Sequence, residues 1–180
     1  MSKVVAIVGK GPTAHQGGYE PTNVEVWGIN AAWKHMGKAS QADRWFHIDD
    51  TKKYTESRGF LQSFDGPVYL IYPDETIPTG IQYPVAAVEK RLQGYFHPTA
   101  SYALALALFE GFDDIHLWGL DYPLGTRYDG QRACVEYWIG RAHGAGVKVQ
   151  IPIESALLSS GKTSVDQWRR ESALLKQISV

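Results

Sequence analysis

Residues 4–14 read VVAIVGKGPTA. The run Val4–Val8 is apolar and mostly β-branched, without the alternation of a half-exposed strand. Such a run marks a strand buried on both faces, as in a parallel sheet covered by helices. It stops at Gly9-Lys10-Gly11-Pro12-Thr13, a turn signal. Two roles are open to this turn: cradling a phosphate beyond the first strand, or turning the chain and nothing more.

Further strands are expected at Val24–Ile29 (VEVWGI), Arg44–Ile48 (RWFHI), Pro67–Tyr72 (PVYLIY), Asp114–Gly119 (DIHLWG) and Val147–Ile151 (VKVQI). Helical stretches separate them. Asn30–Met36 reads as a short helix, and residues 49–62 as polar and partly helical. Pro84–Leu92 carries proline in its first turn. Thr99–Glu110 (TASYALALALFE) has Thr99 as its expected cap and Gly111 as its stop. Gly130–Ala145 is long, with Val135, Trp138, Ile139 and Ala142 on one stripe. Pro73–Pro84, with three prolines and a glycine, reads as a loop and a candidate lid.

Strands alternating with helices predict a single Rossmann-like three-layer α/β domain over residues 1–158 with a mostly parallel sheet. Residues 159–180 read as a C-terminal helical tail. There SSGKTS leads into a segment with Ser164 as cap and Val165, Trp168, Leu175 and Ile178 on one face. This tail either folds back on its own domain or makes a homo-oligomer contact.

Bulk composition narrows the class. The chain has 180 residues, 44% of them hydrophobic, and a formal net charge of -1. That balance gives no support for a general nucleic-acid or anionic-membrane binder, which needs a basic face. The single cysteine, Cys134, excludes an intrachain disulfide and a cysteine zinc cluster, and suits a reducing cytoplasm. It lies in an apolar helical stretch and reads as core. The start lacks the pattern of a signal peptide, and no run reaches the roughly 18 apolar residues of a membrane span. Six histidines show no zinc-ligand spacing.

In open α/β sheets ligands bind outside the carboxyl ends of the strands. Gly9, Gly11, Pro12 and Thr13 end the first strand, and Gly28 and Asn30 the second. His47, Asp49 and Asp50 end the third, and Gly119 and Asp121 the fifth. Gly9-x-Gly11-x-x-Ala14 fits the relaxed dinucleotide fingerprint, but Pro12 removes one N–H donor and no acidic residue follows about 20 positions later. NAD is therefore disfavoured, and a phosphate or nucleotide contact stays open beside a purely structural turn. Asn30 is placed to read a base or sugar, or to cap a helix. His47 and Asp49 alternate along the chain and share a face, suited to metal binding or proton transfer; Asp49-Asp50 equally suits a helix cap. Asp121 suits a ribose, a cation or the following loop. Tyr128, Gln131 and Arg132 lie at the mouth of the last long helix, where Arg132 faces a phosphate or carboxylate, or pairs with Glu136 at i,i+4.

The series VGKGPT, GINAA, FHID, TASYALALALFEGFDDIHLWGLDY and RYDGQRACVEYWIGRAHGAGVKVQIP resembles small bacteriophage and prophage proteins of Rossmann-like fold. More distantly, over residues 3–158, it is similar to the hydroxymethylpterin pyrophosphokinase-like family and to bacterial sialyltransferases that use CMP-sugar donors. The resemblance implies nucleotide contacts for Gly9, Gly11, Pro12, Thr13 and Asn30, and ligand roles for Asp49, Ser101 and Asp121. It extends to Tyr128, Gln131, Arg132 and Glu136 among the phage relatives, and implies the host cytoplasm for a phage-encoded chain.

Three functions follow. The first is a nucleotide- or nucleotide-sugar-dependent transferase of glycosyl or phosphoryl type. In it Asp49 and Asp121 bind Mg²⁺ or orient the acceptor, and Arg132 stabilises developing negative charge. The second is a binder that sequesters a host nucleotide signal without turnover. The third is a phage accessory protein whose tail helix docks a partner.

Overall fold

The computed structural model describes residues 2–17, 24–36 and 41–159. Seven parallel strands form one sheet: β1 (Val4–Val8), β2 (Val24–Ile29), β3 (Arg44–His47), β4 (Val68–Leu70), β5 (Gly80–Gln82), β6 (Asp114–Trp118) and β7 (Lys148–Gln150). The helices are α1 (Thr55–Gln62), α2 (Val85–Leu92), α3 (Thr99–Phe109) and α4 (Asp129–Gly144). This is the expected three-layer α/β architecture.

Alternating side chains divide the core between the two faces of the sheet. Val5, Ile7, Trp27, Ile29, Phe46 and Ile48 pack with α2, α3 and α4. Val8, Val26, Trp45, Val68 and Leu70 pack with Leu61 and Phe64 on the α1 side. Helix α3 has no wet side for most of its length, because it lies against the sheet with α2 and α4 beside it. That is why TASYALALALF carries no polar stripe. Gly28 stands inside β2, where a side chain would collide with the Trp45 ring; its role is to admit that indole, not to end a strand at the rim.

The strand order is β5-β4-β3-β2-β1-β6-β7. The chain builds outward from β1 to β5, then returns to add β6 and β7 on the other side. The order reverses between β1 and β6, which makes their carboxyl ends the switch point where ligands of such sheets bind.

Several local expectations change. Pro73–Pro84 is not wholly loop, because Gly80–Gln82 pairs with β4 as the edge strand β5. Asp74 fixes the front of this segment: its carboxylate accepts from Arg58 Nε at 2.7 Å, Thr51 Oγ1 at 2.7 Å and Thr76 N at 3.0 Å. A segment paired and tethered in this way is not a free lid. The expected helix at Asn30–Met36 shrinks to a 3-10 turn, Ala32–Lys34. Thr99 does not cap α3; Pro98 stands at the cap position and Thr99 is the first helical residue. Pro84 likewise sits at the cap position of α2 rather than within it. Gly111 stops α3 as expected, with φ of 75°. The tail beyond Ser159 lies outside the described residues.

Candidate functional site

The opening turn is a joint between two strands. Gly9 N–H donates to the Trp118 carbonyl at 2.7 Å and Gly11 N–H to the Gly119 carbonyl at 2.8 Å. Thr13 N–H donates to Asp121 Oδ2 at 2.9 Å, and Thr13 Oγ1 donates to Asp121 Oδ1. Gly119 N–H in turn donates to Thr13 Oγ1 at 2.9 Å. The glycines are needed because the two ends touch. A Cβ on Gly9 would collide with the Gly119 carbonyl, one on Gly11 with the Asp121 carboxylate, and one on Gly119 would lie 2.6 Å from the Gly9 carbonyl. The turn's amides therefore serve β6 and not a phosphate. Lys10 N–H is the exception, with no partner among the described residues.

Above this joint lies a cleft of about 850 Å³. Its floor is Gly9, Lys10, Gly11 and Pro12; one end is Asn30, His47, Asp49, Tyr54 and Ser57, and the other is Asp121, Tyr122, Arg127, Tyr128 and Gln131. His97, Pro98 and Thr99 close it from the start of α3. The strand ends and the α3 and α4 starts share one rim because parallel strands alternate with helices.

Asn30 is held rigidly. Its φ is 49°, a left-handed conformation that Asn tolerates better than most residues. Its N–H donates to the Phe46 carbonyl at 2.9 Å, and its carbonyl accepts from Trp45 Nε1 at 3.0 Å. Its Oδ1 accepts from Thr99 Oγ1 at 3.0 Å, which leaves the side-chain NH₂ to donate into the cleft. Asn30 is thus not a helix cap. Asp50 takes the capping role at β3, accepting from Lys52 N–H at 3.1 Å, and Asp49 is exposed at the cleft wall.

The two ends of the cleft differ in charge. At the β1–β6 end Arg127 donates to the Tyr128 hydroxyl at 2.8 Å and lies 4.9 Å from its ring centre. That hydrogen bond holds the Tyr128 phenol below its ordinary value, and the Lys10 charge adds to the effect. Burial pushes the neighbouring Tyr122 phenol up, so it stays a neutral donor. At the β3 end burial pushes the His47 imidazole down, with the Asp49 charge opposing, so His47 is neutral at pH 7.

Other expectations are corrected by this geometry. Arg132 and Glu136 do not face the rim. Arg132 Nη1 donates to the Ser159 carbonyl at 3.0 Å and lies 3.5 Å from Glu136 Oε1, which accepts from Leu158 N–H at 2.7 Å. They hold the chain after β7 against α4. Gln131, one residue earlier, does line the cleft. Ser101 is buried, donates to the Pro98 carbonyl at 2.7 Å and accepts from His97 N–H, so it shapes the turn that presents His97 and Thr99. Thr13 is buried in the joint and does not line the cleft. Asp49 and Asp121 do not form a metal pair: they end β3 and β6, three interstrand spacings or roughly 14 Å apart in the sheet. No group of three or more His, Cys, Asp or Glu suited to a metal occurs among the described residues. Lys10, Tyr54, His97, Tyr122 and Arg127 were not singled out from the sequence. The signal for His97 and Arg127 was their position just before helices whose starts must share the strands' carboxyl rim.

No family model matches the sequence, and no curated protein matches it. Solved structures do. The sialyltransferase CstII from Campylobacter jejuni in complex with the substrate analogue cytidine-5'-monophosphate superposes with a TM-score of 0.55 at 16% identity, covering 82% of this chain and 78% of that one. CST-II in complex with a trisaccharide acceptor and CMP gives 0.55 at 13%, covering 82% and 79%. An apo alpha-2,3-sialyltransferase from Campylobacter jejuni gives 0.51 at 11%, covering 96% and 95%. At these identities the likeness is one of fold: a Rossmann-like α/β domain. No helix among the described residues is long and apolar enough to cross a membrane.

Proposed function

We propose that this chain binds a nucleotide sugar along the carboxyl edge of β3, β2, β1 and β6 and transfers its sugar as a glycosyltransferase. The observation that carries this reading is one cleft whose two cations, Lys10 and Arg127, stand at the switch point beside Asp121, while its polar β3 end has no cation and carries the Asp49 carboxylate. Lys10, with its free N–H and ammonium, and Arg127 with Tyr128 suit the phosphate. Gln131 adds a polar contact on the same wall. The pinned Asn30 amide suits a carbonyl or hydroxyl of the base or sugar. The fold neighbours, named as sialyltransferases in complex with CMP and an acceptor, support the same choice.

In the transfer step an acceptor hydroxyl oxygen bonds to the sugar carbon and gives its proton to the exposed Asp49 carboxylate. The carbon–oxygen bond to phosphate breaks, and its electron pair leaves with the nucleotide beside Lys10 and Arg127. Asp121 keeps the turn in place and does not touch the reacting atoms. Mg²⁺ is not required by these roles, since the side chains at the phosphate end are themselves cationic.

The test is thermal shift against nucleotides and nucleotide sugars, with and without Mg²⁺. A ligand at 100 times its dissociation constant adds about 2.7 kcal/mol, or roughly 5–10 °C for a domain of this size. Lys10→Ala combined with Arg127→Ala is expected to weaken binding at least tenfold and to flatten its dependence on salt. Incubation of a bound nucleotide sugar with saccharide acceptors then separates the roles. Release of free nucleotide marks a transferase, and an intact donor marks a sequestering binder. A silent panel overturns the nucleotide site.

A further inference from the structure

The ring nitrogens of His47 serve no structural hydrogen bond among the described residues. The residue ends β3 and is 2% exposed, yet neither Nδ1 nor Nε2 has a hydrogen-bond partner. Buried polar atoms are normally paired, and leaving them unpaired opposes folding. The ring touches Tyr54 edge-on, with centroids 5.7 Å apart, and it lines the cleft. An imidazole kept unpaired at a ligand-sized cleft calls for a partner that the protein itself does not supply.

We propose that His47 is a specificity-determining residue that recognises a hydroxyl group on the sugar portion of a nucleotide sugar through a ring nitrogen. This rests on the proposed nucleotide-sugar site and adds to it the residue that separates a nucleotide sugar from a bare nucleotide. Three observations set the chemistry. The groups around His47 at this end of the cleft are Asn30, Asp49, Tyr54 and Ser57, with no cation among them, so a second phosphate finds no counter-charge there. A neutral imidazole offers one donor and one acceptor, as a sugar hydroxyl does. The spacing agrees: β3 and β6 lie three strand spacings apart, roughly 14 Å. A phosphate held by Lys10 and Arg127 leaves the β3 end for the group beyond it.

The experiment measures dissociation constants by calorimetry for two matched pairs, CMP with CMP-3FNeuAc and UDP with UDP-N-acetylglucosamine, on the wild type, His47→Phe and His47→Gln. In the pair that binds, the wild type is expected to prefer the sugar-bearing member. His47→Phe should weaken that member about tenfold to a hundredfold and leave the bare nucleotide within about twofold. His47→Gln, which keeps a donor and an acceptor, should recover much of the loss. The ligand-free Tm of His47→Phe should hold or rise, because an unpaired buried polar ring is replaced by an apolar one. Equal weakening of both members, or a fall in Tm without any change in preference, overturns the assignment and makes His47 a structural residue. If neither pair binds the wild type, the nucleotide-sugar reading itself fails, and the inference falls with it.

Discussion

Alanine at Gly119 is expected to lower the domain's stability by about 2–5 kcal/mol, and its Tm by roughly 5–15 °C. Two costs combine. Gly119 has φ of 64°, a left-handed conformation that opposes any Cβ, and the added methyl would lie 2.6 Å from the Gly9 carbonyl. That contact is backbone to backbone, so no rotamer change relieves it. Gly111 supplies the control within the same chain. Its φ is 75°, but nothing lies within 4 Å of its Cβ direction. Gly111→Ala should therefore show the conformational cost alone, about 1 kcal/mol. Thermal or urea unfolding of both variants checks this. Equal effects at the two positions would mean that the β1 and β6 ends are not in close contact.

The second large effect is expected at Asp74. This carboxylate is 7% exposed and accepts hydrogen bonds from Arg58, Thr51 and Thr76, tying α1 and the 3-10 turn Thr51–Lys53 to the segment before β5. Asp74→Ala removes the acceptor and leaves the buried Thr51 hydroxyl without it, at a cost of about 2–4 kcal/mol. The Arg58 hydrogen bond, aided by those from Thr76 and Thr51, holds the Asp74 carboxyl well below the ordinary range. The folded state thus binds this proton less readily than the unfolded chain does. The stability it contributes is complete above the ordinary carboxylate value of about 4 and is lost as pH falls below it. Stability measured from pH 6 down to pH 2 should fall more steeply in the wild type than in Asp74→Asn. Parallel curves would show that the carboxylate titrates alike in both states.

The parts of this fold that were legible in the sequence are those where burial leaves a pattern. β1, β2, β3 and β6 are buried on one or both faces and read as apolar runs, and their ends located the cleft. β5 left no such trace. Gly80, Ile81 and Gln82 are all exposed, and the strand exists through its pairing with β4. Asn30, Asp49, Tyr128 and Gln131 were found by the carboxyl-end rule, and all four line the cleft. Arg132 was not separable from Gln131 in the sequence, although adjacent helical residues point about 100° apart. Only the packing of α4 decides which of them meets the cleft. Ser101 and Thr13 carry polar atoms at plausible positions, but those atoms satisfy the backbone. His47 was visible as a polar residue ending an apolar strand; its lack of a partner required coordinates.

The position of α3 bears on which parts of the molecule open first. Its backbone amides lie behind the sheet centre, with Ala100, Ala103, Ala105 and Ala107 fully enclosed, while β5 and β7 are three-residue borders. Hydrogen–deuterium exchange should therefore proceed inward, with the borders exchanging through small local openings and α3, β1 and β6 only when the whole domain comes apart. The cleft rests on that slow centre, since Thr99 at the start of α3 holds Asn30. A bound ligand should then slow exchange in α3, β1 and β6 and leave the borders as fast as before, so the two rates would report occupancy and fraying separately.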